Sequence, residues 1–149
     1  MLRFMEILNK IRHVGIVVND IDGAVSFWTK ILGMKIISDQ VEKGPIIDAV
    51  LGLVNVYVRT VKMVDKQNGI VELLRFANPE NSPRKNAEPN STGITHIALE
   101  VLALEENREK LEKAGVRFFG PIQLSSDKKV KVMYARGPED ILLEFVEVL

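Results

Sequence analysis

Only two histidines occur in the chain, His13 and His96, and each opens an alternating apolar run, HVGIVV in one case and HIALEV in the other. Late in each half, a second kind of apolar run encloses a carboxylate: Glu72 in IVELLRF and Glu144 in ILLEFVEV. Two neutral imidazoles and two carboxylates form a nitrogen and oxygen donor set with two negative charges, which suits one borderline or hard divalent cation. An ionised Glu among Leu, Ile, Val and Phe is strongly disfavoured unless a positive group or a hydrogen-bond network balances it. The bland alternatives are a hydrogen-bonded, half-buried strand position for each His and an outward-facing place on an amphipathic edge strand for each Glu. Glu147 competes in the last run but lies out of phase with Glu144. Matched placement of both residue types favours the metal reading. Each His is too far from its Glu in sequence for a local metal loop, so such a site needs the halves folded together.

The elements that would position these groups repeat. The segment from Arg12, RHVGIVVNDIDGAVSFWTKILGMKI, lies over the one from Thr95, THIALEVLALEENREKLEKAGVRF, without a gap. Period-two alternation sends His13, Gly15 and Val17 to one strand face and Val14, Ile16 and Val18 to the other; His96, Ala98 and Glu100 likewise oppose Ile97, Leu99 and Val101. The wholly apolar face belongs under a helix, and the His face, kept small by Gly15 and Ala98, looks away from it. Apolar residues at Ile21, Ala24, Val25, Trp28, Ile31 and Leu32 share one helical face, with Asp20 as N-cap and Gly33 as the left-handed terminator. The second helix carries Leu104, Arg108, Leu111 and Ala114 up to Gly115, with no evident cap. Strands follow at 35–40, 55–64 and 70–76, then at 116–119, 130–135 and 141–148, so each half reads β-α-β-β-β. NPENSPRKNAEPNSTG between them has linker composition. An apolar insert at 46–53 predicts an extra short helix beside the site. Phe27 and Trp28 read as core anchors; Met63, Phe76, Met133 and Tyr134 read as core filling or as an apolar wall.

Composition narrows the function classes. The 149 residues are 46% apolar and 27% charged, which excludes a disordered chain. Zero Cys excludes a disulfide scaffold, a zinc ribbon and a thiolate nucleophile. Twenty basic residues balance twenty acidic ones, so no net field draws nucleic acid or anionic lipid. Residues 1–10 lack the apolar core of a signal peptide and no stretch is long enough to span a bilayer, so the expectation is a cytoplasmic protein without nucleic-acid or membrane partners.

Paired modules with HVGIVVNDIDGAVSFWTKILGM opening the first, and THIALEV and GPEDILLEFVE opening and closing the second, resemble the vicinal oxygen chelate superfamily, in particular glyoxalase I and its relatives. The resemblance covers about residues 11–148. It implies the α+β glyoxalase/bleomycin resistance/dioxygenase fold: βαβββ modules at 11–78 and 94–149, a linker at 79–93, and a mixed sheet curled into a cup, often in a homodimer. Carried over residue by residue, it makes His13, Glu72, His96 and Glu144 the ligands of one divalent ion, Zn, Ni, Co, Mn or Fe(II), and Glu144 or Glu72 the catalytic base. The implied activity is that of a glyoxalase I-like lyase or isomerase, which chelates the adjacent oxygens of a small carbonyl substrate and stabilises an enediolate or enolate. The alternatives within the resemblance are a methylmalonyl-CoA epimerase-like racemase, an extradiol dioxygenase and a metal-free drug-binding protein of the bleomycin-resistance type. Arg12, Arg59 and Arg75 are candidates for binding a glutathione-like anion, against a reading as solvated strand-end charges.

Overall fold

The computed structural model describes residues 7–83 and 87–149. Residues 1–6, within the segment read for a targeting signal, and 84–86, within the linker, lie outside the described residues. The chain divides into two compact units between Asn81 and Ser82.

The first unit runs β1 (Val14–Val17), α1 (Ile21–Ser26, continued by a π-helical turn at Phe27–Ile31), β2 (Lys35–Lys43), α2 (Pro45–Leu51), β3 (Tyr57–Val64) and β4 (Ile70–Asn78). Its sheet has the order β1-β4-β3-β2, with β1 parallel to β4 and the other pairs antiparallel. The second unit runs β5 (Ile97–Glu100), α3 (Leu104–Lys113), β6 (Arg117–Phe118), β7 (Gln123–Leu124), β8 (Val130–Arg136) and β9 (Leu142–Val148). Its order is β5-β9-β8-β6, with β5 parallel to β9 and β7 also pairing β8. Both are mixed, open sheets carrying few helices, the α+β class expected.

Two departures separate the units. The insert at 46–53 is a helix, α2, as its apolar run predicted, whereas the strand expected at 116–119 survives only as β6. Pro121 supplies no backbone N–H to continue the ladder, and pairing resumes two residues later as β7.

Helix α1 starts where Asp20 accepts a hydrogen bond from Gly23 N at 2.9 Å. A side chain at position 23 would collide with that carboxylate, so the glycine belongs to the cap. The chain leaves at Gly33 with φ +84°, as a left-handed terminator should. Ile21, Ala24, Phe27 and Trp28 are buried with Val61, Met63, Val71 and Leu73 of the sheet. Phe27 and Trp28 are adjacent in sequence, yet both reach the core because the π-helical turn falls on them; their rings meet edge-on, 6.0 Å apart. Met63 therefore fills the core. In the second unit Leu104, Leu111, Val116, Ala135, Leu142, Leu143 and Phe145 form the buried apolar set.

Candidate functional site

Both sheets place their glutamate on an inner strand. Glu72 on β4 lies in register with Gly15 of β1 on one side and Lys62 of β3 on the other. Glu144 on β9 lies in register with Ala98 of β5 and Tyr134 of β8. Neither carboxylate is on an edge strand, and Glu72 is only 9% exposed, so the outward-facing alternative fails at both positions. His13 and His96 come two residues before the small residue, on the same pleat face, and Gly15 and Ala98 leave no bulk between the imidazole and the carboxylate.

Each His meets its Glu as a result. His13 Nε2 lies 3.4 Å from Glu72 Oε2, and His96 Nε2 lies 3.2 Å from Glu144 Oε2. Two donors bound to one ion through bonds of roughly 2.1 Å stand about 3.0–3.4 Å apart for octahedral to tetrahedral angles. Both pairs match that edge length, so the donor chemistry and spacing fit a divalent ion. No cluster of three or more His, Cys, Asp or Glu able to hold a metal forms among the described residues; each module supplies a pair.

The surroundings of the two pairs differ. Lys62 Nζ stands 3.7 Å from Glu72 Oε2 and is the positive group that a nearly buried carboxylate requires. In the second module the Tyr134 hydroxyl lies 3.1 Å from His96 Nε2, with the two rings tilted against each other at 4.8 Å. Burial, followed by the charge of Glu144, pushes the Tyr134 hydroxyl up from its ordinary pKa and keeps it in the protonated form that donates hydrogen bonds. On the other ring nitrogen, Thr95 Oγ1 is 2.8 Å from His96 Nδ1. In the tautomer whose Nδ1–H donates to Thr95, the Nε2 lone pair faces Glu144, as a metal ligand requires.

The remaining candidates have structural work. Glu147 projects to the helix side of β9, where its carboxylate accepts from Leu104 N at 2.9 Å. It is the cap that α3 lacks locally, since Ala103 at the N-cap position contributes no side-chain hydrogen bond. Arg59 bridges Asp39 and Asp22, holding the Asp39 carboxyl below its usual range through the Arg59 hydrogen bond, and Arg75 donates to Asn19 O. Arg12 is exposed. Sequence reasoning missed Lys62 and Arg136 and gave Tyr134 only a wall's role. The available signal was that Lys62 and Tyr134 stand at the same interval before their glutamates.

Comparison with known proteins agrees with the fold. The model of the family described as the glyoxalase/bleomycin resistance protein/dioxygenase superfamily matches residues 12–134. A glyoxalase family protein of Bacillus cereus superposes with a TM-score of 0.90 at 26% identity, covering 99% of each chain. The fosfomycin resistance protein FosX of Listeria monocytogenes, crystallised as a mutant with Mn(II) and 1S,2S-dihydroxypropylphosphonic acid, gives 0.64 at 13% identity, over 96% of this chain and 95% of that one. An uncharacterised protein of Bacillus subtilis, YwkD, is 23% identical over 95% of this chain and 98% of its own length.

Proposed function

The chain belongs to the glyoxalase/bleomycin resistance protein/dioxygenase superfamily, and from that premise we propose that it is a divalent-metal-dependent enzyme whose ligands are His13, Glu72, His96 and Glu144. The observation that carries the proposal is the twice-repeated His and Glu pair, at 3.4 and 3.2 Å, on equivalent strands of two modules. FosX, which shares the fold, was crystallised with Mn(II). These four groups would hold a divalent ion, which would supply a Lewis acid for two adjacent oxygens of a small substrate and steady negative charge developing on them.

The side chains do the rest. Glu144 or Glu72 takes a proton from the carbon beside a substrate carbonyl, a role for which a carboxylate held close to the reacting group is suited. Thr95 hydrogen-bonds Nδ1 of His96 and steadies its ring, and the Tyr134 hydroxyl offers a hydrogen bond to substrate oxygen from the same face. This is the chemistry of a glyoxalase I-like lyase or isomerase acting in the cytoplasm as a homodimer. The second reading is a metal-free small-molecule binder, which draws on the Lys62 ammonium already seated beside Glu72.

Metal analysis of protein purified without chelator, then titration of the stripped protein with Mn(II), Zn, Ni, Co and Fe(II), separates the two. His13→Ala and His96→Ala are each expected to lower affinity for the preferred ion at least tenfold with circular dichroism unchanged. Affinity no better than micromolar in the parent protein, or unchanged in either variant, removes the proposal. Turnover of 2-oxoaldehyde and thiol pairs, acyl-CoA epimers or catechols by the loaded protein then names the reaction.

A further inference from the structure

Arg136 ends strand β8 two residues after Tyr134, on the same pleat face, and in register with Leu142 of β9, the strand lying between β8 and β5. Its side chain is only 12% exposed. A guanidinium cannot shed its charge, so burying it calls for a close anion. Arg136 has a poor one. Among the described residues its single ion pair is with Glu88 Oε1, at 3.4 Å, and Glu88 is itself 67% exposed on the segment joining the modules. Its other polar contact is a donation to Asp140 O at 3.3 Å, and the Phe119 ring lies 5.9 Å from the guanidinium carbon. Both polar contacts are long beside the roughly 2.7–2.9 Å of a well-made charge-assisted hydrogen bond. Phe119 and the Asp140 carbonyl hold the planar group in place, while its remaining edge faces a carboxylate on a surface segment.

We propose that Arg136 is the specificity residue of this site, that it binds an anionic oxo-acid group on the substrate, a carboxylate or a phosphonate, and that Glu88 occupies that position until substrate displaces it. The inference rests on the reading of the His96 and Glu144 face as the reaction face. Arg136 stands roughly 7 Å along the strand from Tyr134, so the anionic group and the reacting oxygens belong to one small molecule. The forked donors of Arg recognise either head group through two parallel bonds, whereas a lysine would act as a point charge.

Anion binding to the full-length, metal-stripped protein tests this, with malonate and inorganic phosphate as probes in calorimetric titrations at low salt. Arg136→Gln is expected to weaken the better probe at least tenfold, Arg136→Lys to weaken it less, and Glu88→Gln to strengthen it about threefold or more by removing the competing carboxylate. A Glu88→Gln protein with parental affinity overturns the proposal, even if Arg136→Gln fails to fold. So does a folded Arg136→Gln protein that binds both probes as the parent does. The metal reading fails separately: anion binding that follows Arg136 and Glu88 in a protein that takes up no divalent ion removes the ligand assignment and leaves this one.

Discussion

Each module carries a His just before its first strand, a small residue on that strand and a Glu on the parallel strand beside it, yet the next position in the row is Lys62 in one and Tyr134 in the other. The first module sets a lysine against its carboxylate. The second sets a neutral hydroxyl there, and orients its imidazole through Thr95 where the first module has Arg12. The supports of the helices differ in the same way. Helix α1 is capped from within by Asp20 and anchored by two aromatic rings, whereas α3 rests on Leu104 and Leu111 and is capped by Glu147 from a strand. Duplicated His and Glu pairs have diverged neighbours: one module sets a charge beside its carboxylate, and the other sets hydrogen-bonding groups there.

Three substitution pairs break or sharpen that contrast. The largest effect belongs to the anchors: Trp28→Ala should destabilise the protein by about 3–5 kcal/mol and Leu111→Ala by about 2–4 kcal/mol, read by urea denaturation. Equal losses would show the aromatic pair to be no stronger an anchor than the leucines. Next comes the row itself. A like charge roughly 6 Å from a bound divalent cation is worth ~5–6 kcal/mol at an effective dielectric of about 20, and about half of that after solvent screening. Lys62→Met should therefore tighten divalent-ion binding about a hundredfold in a chelator competition, while Tyr134→Phe shifts it less than threefold. The reverse order would end the assignment of charge balance to the first module. Smallest are the caps: Asp20→Ala and Glu147→Ala should each remove about 1 kcal/mol, with the loss of hydrogen-exchange protection confined to α1 in one variant and to α3 in the other.

Much of this was legible in advance because hydrophobic alternation and turn chemistry are local signals. The repeat, the cap at Asp20, the terminator at Gly33 and the inner face of α1 follow from patterns a few residues long. The row partners do not. Which residue of β3 stands beside Glu72 depends on how the turn between β3 and β4 sets the register, which then runs unbroken from Val64 and Ile70 to Val58 and Phe76, and the sequence alone does not fix that setting. Glu147 was set aside as out of phase with Glu144. That phase sends it to the opposite face, where α3 needs an acceptor, so the same parity that removes it from the site makes it a cap. The division of the expected strand at 116–119 was concealed because a two-residue strand carries no periodicity of its own.

The cap on α3 also orders events in time. Asp20 and Gly23 are three residues apart, so α1 has its N-terminal acceptor as soon as its own first turn has been synthesised. Leu104 and Glu147 are separated by 43 residues, and the second helix stays without its acceptor until nearly all of β9 has left the ribosome. The first module can thus settle while the second is still being made, and the nascent chain presents one finished His and Glu pair before the other exists.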